Sequence, residues 1–219
     1  MTRRSSRTFR CFSLTALLLL LCLPPGPGRG LSTASEPAAG PKAEVLERVR
    51  EASRGIVSIE SGFVQESRSS MLEGPLRSRG RFEYRAPDRL LWEVVSPERF
   101  GFSVDGDRVT SWKGRGEARE GAPPGAEEGI RQFARQLFAW VRADFAWLEE
   151  RFAISVESES PVVLALEPLS GERAERLDRI RVTFAGDLDH VETIEIREAG
   201  GDRMVITFED TRVVKDKGT

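Results

Sequence analysis

Residues 80–107 read GRFEYRAPDRLLWEVVSPERFGFSVDGD, and their apolar residues recur at every second position in three short runs. Turn residues separate the runs at Ala86-Pro87, Ser96-Pro97 and Asp105-Gly106. This period and punctuation are typical of consecutive antiparallel strands with one apolar face, and Asp105-Gly106 suits a type I′ hairpin turn. The face carries bulky residues without catalytic chemistry, which favours a surface that holds a lipid over one that converts it: Phe82, Tyr84, Leu90, Trp92, Phe100 and Phe102.

Similar patterns extend to both sides of this segment. Apolar residues at helical spacing predict a helix over 42–54, with Gly55 as its stop signal. They predict a second helix over 127–142 and a helical turn over 144–150. Alternation predicts strands over 56–68, 76–85, 89–95, 99–105, 108–113, 152–158, 161–167, 178–185, 189–198 and 203–213, with a loop over 114–129. We therefore expect a mainly antiparallel β fold with a few helices, an incomplete (unclosed) β-barrel wrapped around a helical lid or plug.

The first thirty residues have the features of an export signal. Four arginines between Arg3 and Arg10 precede a thirteen-residue apolar run from Cys11 to Leu23. That run is shorter than the roughly 20 residues of a membrane-spanning helix. We predict a cleaved signal peptide over 1–30, a flexible leader over 31–41 and one domain over 42–219; a retained signal anchor is the alternative.

Cleavage would change both the cysteine content and the charge. Cys11 and Cys22 are the two cysteines of the chain, so the mature protein would have no disulfide, thiolate metal site or cysteine nucleophile. Five arginines and no acidic residue would be lost, which moves the net charge from −2 to about −7. Because nucleic-acid binding rests on cationic neutralisation of phosphates, we expect no nucleic-acid partner.

The polar residues do not form a pattern that indicates catalysis. His190, the sole histidine, is expected on a surface turn, and Asp187 and Asp189 lack the other ligands of a calcium loop. Glu83 and Glu93 are expected on the solvent side of their strands. The sequence contains neither a Gly-x-Ser-x-Gly elbow nor a His-Glu-x-x-His helix. We predict a protein that is not an enzyme and has no cofactor and no metal; a hydrolase is kept as an alternative.

The landmarks of the aromatic segment resemble those of the periplasmic outer-membrane lipoprotein carrier family, LolA. They are Phe63, Gln65, Gly80, Pro87, Trp92, Pro97 and Asp105-Gly106. The resemblance implies a hydrophobic cavity, closed by helices, that shields acyl chains during transit across the periplasm. It also implies an inner-membrane ABC-type exporter that supplies the cargo and an outer-membrane acceptor that receives it.

The resemblance also implies a set of binding residues. Acyl chains would contact the six strand residues Phe82, Tyr84, Leu90, Trp92, Phe100 and Phe102 and the helical residues Phe133, Leu137 and Phe138. Ordinary core packing is the alternative for all nine. Family members place a lid-latching arginine directly before the first proline, but Ala86 stands there, so Arg85 or Arg89 is the expected latch or rim. Arg77, Arg79 and Arg81 are expected either on a solvated face or on a basic rim that meets an acidic partner or an anionic headgroup.

The expected function is that of a monomeric, non-enzymatic carrier in a divergent branch of this family. Its cargo would be lipoproteins or a lipid-like product such as a glycolipid or a polyene, delivered to the outer membrane. The alternative is an interaction or structural protein of the envelope with a packed core and no ligand.

Overall fold

The computed structural model describes residues 40–70, 73–114, 119–120, 126–169 and 171–216. The predicted signal peptide and the leader up to residue 39 lie outside the described residues. Within the part described, none of the helices has the length and apolar character needed to cross a membrane.

One antiparallel sheet of eleven strands is the framework of the domain. Its strands are β1 (Ile56–Arg68), β2 (Leu76–Arg85), β3 (Arg89–Ser96), β4 (Phe100–Asp105), β5 (Arg108–Lys113), β6 (Arg119–Glu120), β7 (Phe152–Glu159), β8 (Val162–Pro168), β9 (Leu177–Phe184), β10 (Val191–Glu198) and β11 (Arg203–Lys215). Their order is β6-β5-β4-β3-β2-β1-β11-β10-β9-β8-β7, so the first and last long strands join the two halves. The end strands β6 and β7 do not pair with each other in the described residues, which confirms the predicted unclosed sheet.

Helices connect and cover the strands. In the described residues they are α1 (Pro41–Ala52), α2 (Glu127–Val141), α3 (Phe145–Glu149) and α4 (Glu172–Arg176). Pro41 occupies the first turn of α1, and Gly55 has the positive φ of +71° that the stop signal predicted. The Asp144 carboxylate accepts a hydrogen bond of 3.1 Å from the Trp147 backbone and caps α3. Helices α1, α2 and α3 agree with the predicted helical segments to within two residues at each end.

Two short elements were not predicted from the sequence. Strand β6 lies within the segment that was predicted as a loop, and helix α4 precedes β9 directly. Both are too short for an apolar period to be recognised, since a strand or helix signal needs several repeats.

The hairpin between β4 and β5 turns one residue later than the sequence predicted. Asp105 pairs with Arg108, so the two turn residues are Gly106 and Asp107. Gly106 has a φ of +56°, whereas Asp107 does not have a positive φ. A type I′ turn requires positive φ at both positions, and a type II′ turn has glycine at the first. The prediction of a type I′ turn over Asp105-Gly106 was wrong, and the hairpin fits type II′.

Candidate functional site

Strand register brings the predicted strand residues onto one face of the sheet. Trp92 on β3 lies directly opposite Phe82 on β2 and Phe102 on β4. In the neighbouring registers, Tyr84 pairs with Leu90, and Val94 pairs with Phe100. All six predicted strand residues are buried: Phe82, Tyr84, Leu90, Trp92, Phe100 and Phe102.

Trp92 is the centre of an aromatic cluster, defined by Phe63, Phe82, Trp92, Phe102, Phe133 and Phe208. Its ring stacks on Phe63 with centroids 4.3 Å apart and contacts the Phe133 ring of α2 edge-on at 5.5 Å. Phe133 also contacts Phe102 at 5.8 Å. Helix α2 therefore packs directly on the sheet face that carries Phe82, Trp92 and Phe102, which we call the aromatic wall.

The other predicted helical residues lie on the same side of α2. Leu137 is buried, and the half-buried Phe138 contacts Tyr84 edge-on at 5.9 Å. All nine residues predicted to contact acyl chains thus lie in one continuous core. Their contact with a lipid stays a prediction.

Two glycines make this close packing possible. A Cβ at Gly80 would lie 2.2 Å from the Glu93 carbonyl oxygen and 2.2 Å from Cζ of Phe63. A Cβ at Gly101 would lie 2.6 Å from the Trp92 carbonyl oxygen. The Phe63 ring occupies the position where any other residue at 80 would place its side chain. This explains why Phe63 on β1 lies opposite a glycine on β2.

Two arginines, one within α2 and one directly after it, hold the helix against the sheet. The Arg131 guanidinium donates to the Asp107 carbonyl in the β4–β5 hairpin at 2.5 Å and to the Glu127 carboxylate at 2.8 Å. Arg142, directly after α2, donates to the Tyr84 hydroxyl at 3.4 Å. The sequence gave no signal for these contacts.

The predicted latch residues lie on the strands and contact other strand residues. Arg85 lies 3.6 Å from Glu60, and Arg89 donates to the Asp105 carboxylate at 3.0 Å. Both side chains are more than half exposed. Their role as a latch or rim stays a prediction, while Arg131 and Arg142 make polar contacts from the helix side.

A small cavity of about 30 Å³ lies beneath the C-terminal half of α2. Its apolar lining includes Phe82, Leu137, Trp140, Phe184 and Phe208. A volume of this size holds one or two water molecules, whereas pockets for organic ligands enclose roughly 300–1,000 Å³. In this conformation the aromatic cluster and α2 therefore fill almost all the space between helix and sheet.

Two cavity residues were missed at the sequence level although a signal for each existed. Trp140 lies three residues after Leu137 and seven after Phe133, which places it on the apolar stripe of α2. Phe208 follows Ile206 by two residues on β11, at the strand period. Phe208 therefore belongs to the sheet side of the cavity, and Trp140 to the face of α2 that covers it.

Polar groups line one side of the cavity. Asp189 lies 2.7 Å from Nδ1 of His190 and 3.1 Å from the Lys215 ammonium. His190 is partly buried, contrary to the expected surface position, because it packs at this rim. Burial acts to raise the pKa of Asp189, but hydrogen bonds from His190 and Lys215 outweigh it and hold that pKa below its usual value. Oxygens of Asp187 and Asp189 and a His190 nitrogen lie within 4.8 Å of one another, yet Lys215 already neutralises Asp189, which disfavours a metal ion here.

The outer face carries buried charge that the sequence did not predict. Glu93 points away from the aromatic wall, as expected, but only 3% of its side chain is exposed. It accepts hydrogen bonds from Arg81 at 2.7 Å, Arg99 at 2.8 Å and Trp112 at 3.0 Å, whose side chains cover it. Burial acts to raise the pKa of Glu93, but the two guanidinium groups prevail and lower it. Its expected solvent exposure was wrong because these neighbours exclude water.

A second outer carboxylate repeats this arrangement in the other half of the sheet. Glu195 on β10 accepts a hydrogen bond of 2.9 Å from Arg203 and lies within 3.5 Å of Arg181 and Arg197. Burial acts to raise the pKa of Glu195, and the arginines lower it overall. On β2, Arg81 forms an ion pair with Glu93, and Arg77 lies 3.4 Å from Glu66. The alternating arginines thus belong at least partly to an ion-paired outer surface.

Several solved structures are similar to this chain. The structure of MucB in complex with MucA from Pseudomonas aeruginosa is similar with a TM-score of 0.48 and 18% identity, over 80% of this chain and 58% of that one. A LolA superfamily protein from Nitrosomonas europaea gives 0.40 and 10% over 78% and 93%. LprF from Mycobacterium bovis gives 0.40 and 11% over 84% and 97%.

The family is identified by sequence. None of the curated proteins compared with the chain matches it. Residues 54–217, however, match the family described as outer membrane lipoprotein carrier protein LolA. The match spans most of the chain and includes β2 to β5 with all the landmarks of the aromatic segment, so the chain belongs to the LolA family.

Proposed function

We propose that this protein is a non-enzymatic periplasmic carrier that shields the acyl chains of a lipoprotein or lipid-like cargo beneath α2 and delivers them to the outer membrane. The support begins with the family, whose description names an outer membrane lipoprotein carrier. In this proposal residues 1–30 are the cleaved export signal and 31–41 a leader. The exporter that loads the carrier and the acceptor that unloads it are parts of the same proposal.

The observation that carries the proposal is the way α2 packs on the aromatic wall. The buried Phe133 and Leu137 contribute apolar packing, while Arg131 in α2 and Arg142 directly after it donate hydrogen bonds to Asp107 and Tyr84. An acyl chain can replace apolar contacts without leaving polar groups of the wall unpaired. A helix held in this way is suited to move aside when an apolar ligand enters.

Binding in this proposal requires α2 to move. The existing cavity of about 30 Å³ is an order of magnitude smaller than an ordinary ligand pocket. Apolar burial contributes about 25 cal/mol per Å², from which the free energy of displacing the helix must be subtracted. Affinity therefore depends on how easily α2 leaves the wall as well as on the ligand.

A second candidate function is favoured by the same small cavity. A core that is filled without ligand also suits an envelope interaction protein whose fold serves only to present its surface. The two candidates differ in one measurable property, namely whether the region beneath α2 accepts an acyl chain.

The test is native mass spectrometry of the protein, expressed with its full N-terminus in a Gram-negative host and purified gently. We expect a signal-processed chain that carries lipid, and after delipidation it should take up a fluorescent acyl probe. A ligand-free mass together with no uptake would exclude the carrier function and favour the interaction protein.

A matched pair of variants locates the site. Leu137 on α2 and Leu148 on α3 are 3% and 2% exposed, and only Leu137 lines the cavity. Leu137→Gln and Leu148→Gln should both lower the melting temperature, but Leu137→Gln alone should reduce the probe affinity of the folded protein. Equal probe affinities for the two variants would mean that the ligand binds elsewhere.

A further inference from the structure

Three buried N–H donors beneath α2 have no hydrogen-bond partner among the described residues. They are Nε1 of Trp92, Nε2 of Gln136 and Nε1 of Trp140, and each of these residues is at least nine-tenths buried. Native proteins rarely leave buried donors unpaired, because the loss of hydration is not compensated. The donors are therefore free to bond an acceptor that enters with a ligand.

The three donors follow one side of α2. Gln136 and Trp140 are four residues apart, so they are neighbours on the helix surface. Phe133 precedes Gln136 by three residues and contacts the ring of Trp92. Trp140 lines the cavity itself. A chain that enters there and extends along α2 would pass Trp140, then Gln136, then the aromatic cluster.

The charge of the lining decides what kind of acceptor fits. The described residues that line the cavity include the hydroxyls of Ser53, Ser61 and Thr211 and neither Arg nor Lys. They also include Asp189 and His190, which are 2.7 Å apart and pair with each other. A buried carboxylate requires a cationic partner, whereas a neutral carbonyl requires only N–H donors. The Lys215 ammonium near the rim is already paired with Asp189 at 3.1 Å.

We propose that Trp140 and Gln136 donate hydrogen bonds to the neutral carbonyl of an ester- or amide-linked acyl chain, and that the site selects such chains over free fatty acids. This inference rests on the proposed carrier function and assigns its ligand class.

Three probes of similar chain length test it: methyl decanoate, decanoate at pH 8 and decane, each displacing a fluorescent apolar probe from the delipidated protein. One hydrogen bond changes affinity by about fivefold. With two donors, methyl decanoate should therefore bind about 25-fold tighter than decane, and decanoate more weakly than the ester. The ester should also shift the Trp140 indole N–H proton resonance downfield.

Variants separate the donors from the apolar wall. Trp140→Phe and Gln136→Leu should lower the affinity for methyl decanoate to that for decane, both measured on the same variant. Trp147→Phe is the control, since Trp147 stacks under Arg151 at 3.9 Å and does not line the cavity. Decanoate binding as tight as the ester, or an ester preference that survives in the double variant, would overturn the inference while the carrier function stands. Failure of all three probes to bind would overturn both.

Discussion

Gly80→Ala is the sharpest test of how the aromatic wall is built, since it adds a single methyl group at its most crowded point. The new Cβ would lie 2.2 Å from the Glu93 carbonyl oxygen and 2.2 Å from Cζ of Phe63. Relaxed contacts between heavy atoms lie near 3.5–4.0 Å, so the strand or the ring must move by more than about 1 Å. Phe63 cannot move freely, because it is buried and stacked on Trp92.

The magnitude follows from two opposing effects. Overpacking a filled core typically costs about 1–3 kcal/mol, and this site is at the upper end because one obstacle is backbone. Replacing glycine restricts the unfolded chain and returns about 0.5 kcal/mol. The free energy of unfolding should therefore fall by about 2.5 kcal/mol. For a domain of this size that corresponds to a melting temperature lower by about 5–10 °C.

Thermal and urea unfolding of the mature protein measure this change, with Gly62→Ala as the matched control. Gly62 lies on the adjacent strand β1, and a Cβ there would come no closer than 3.6 Å to the Glu209 carbonyl oxygen. Gly62→Ala should change stability by less than about 1 kcal/mol. If the two variants melt at the same temperature, the steric account of the Gly80 landmark is wrong.

A double variant divides the effect between its two causes. Phe63→Ala removes the ring but leaves the Glu93 carbonyl oxygen in place. Gly80→Ala should therefore still destabilise the protein in the Phe63→Ala background, by about half as much as in the wild type. Full loss of the effect would assign the whole clash to the ring.

Three further predictions concern the lid, the wall and the outer face. Arg131→Ala removes the hydrogen bond to Asp107, which we value at about 1 kcal/mol because the side chain is partly exposed. The variant should take up the acyl probe about fivefold faster in stopped-flow fluorescence. Arg135→Ala, which replaces an exposed arginine of the same helix, should leave the uptake rate unchanged. Phe133→Ala should lower the free energy of unfolding by about 3–5 kcal/mol, and the variant should regain part of this stability when the acyl probe fills the space. Phe152→Ala on β7 should lose stability without regaining it in the presence of the probe. Thermal unfolding with and without the probe measures both effects. Glu93 has a lowered pKa, so its stabilisation is complete above its unfolded pKa of about 4.3 and is lost as the pH falls below that value. Glu93→Gln should therefore be less stable than the wild type at pH 7 by about 1–2 kcal/mol. In urea unfolding, its free energy of unfolding should fall less between pH 6 and pH 3.5 than that of the wild type.

The fold was predictable because its signals are local and repeated. Strands β1 to β5 each carry several alternating residues between turn residues, and their predicted bounds agree with the structure to within one residue. The stripe of α2 was recognisable for the same reason. The exact hairpin turn was not, because Asp105-Gly106 and Gly106-Asp107 are equally acceptable as sequences and pairing of β4 with β5 decides between them.

The site was only partly predictable because its contacts join distant elements. The six strand residues followed from alternation, and their register then placed them side by side. Arg131 reaches a backbone carbonyl, which has no sequence signature, and the Glu93 cluster combines residues from β2, β3 and β5 with Arg99. Only the folded chain shows that an outward glutamate is buried beneath side chains from its neighbours.

In the proposed carrier, α2 moves while the two outer carboxylates hold the wall in place. Glu93 is bonded to side chains from β2 and β5, and Glu195 to side chains from β9 and β11, so each ties several strands together on the face opposite α2. A sheet that is not closed lacks the hydrogen bonds that would otherwise fix its curvature at the missing edge. Cross-strand charge clusters supply a constraint that does not depend on the helix or on a ligand. The inner face can then exchange one set of apolar contacts for another, and the sheet keeps the shape that the aromatic wall requires.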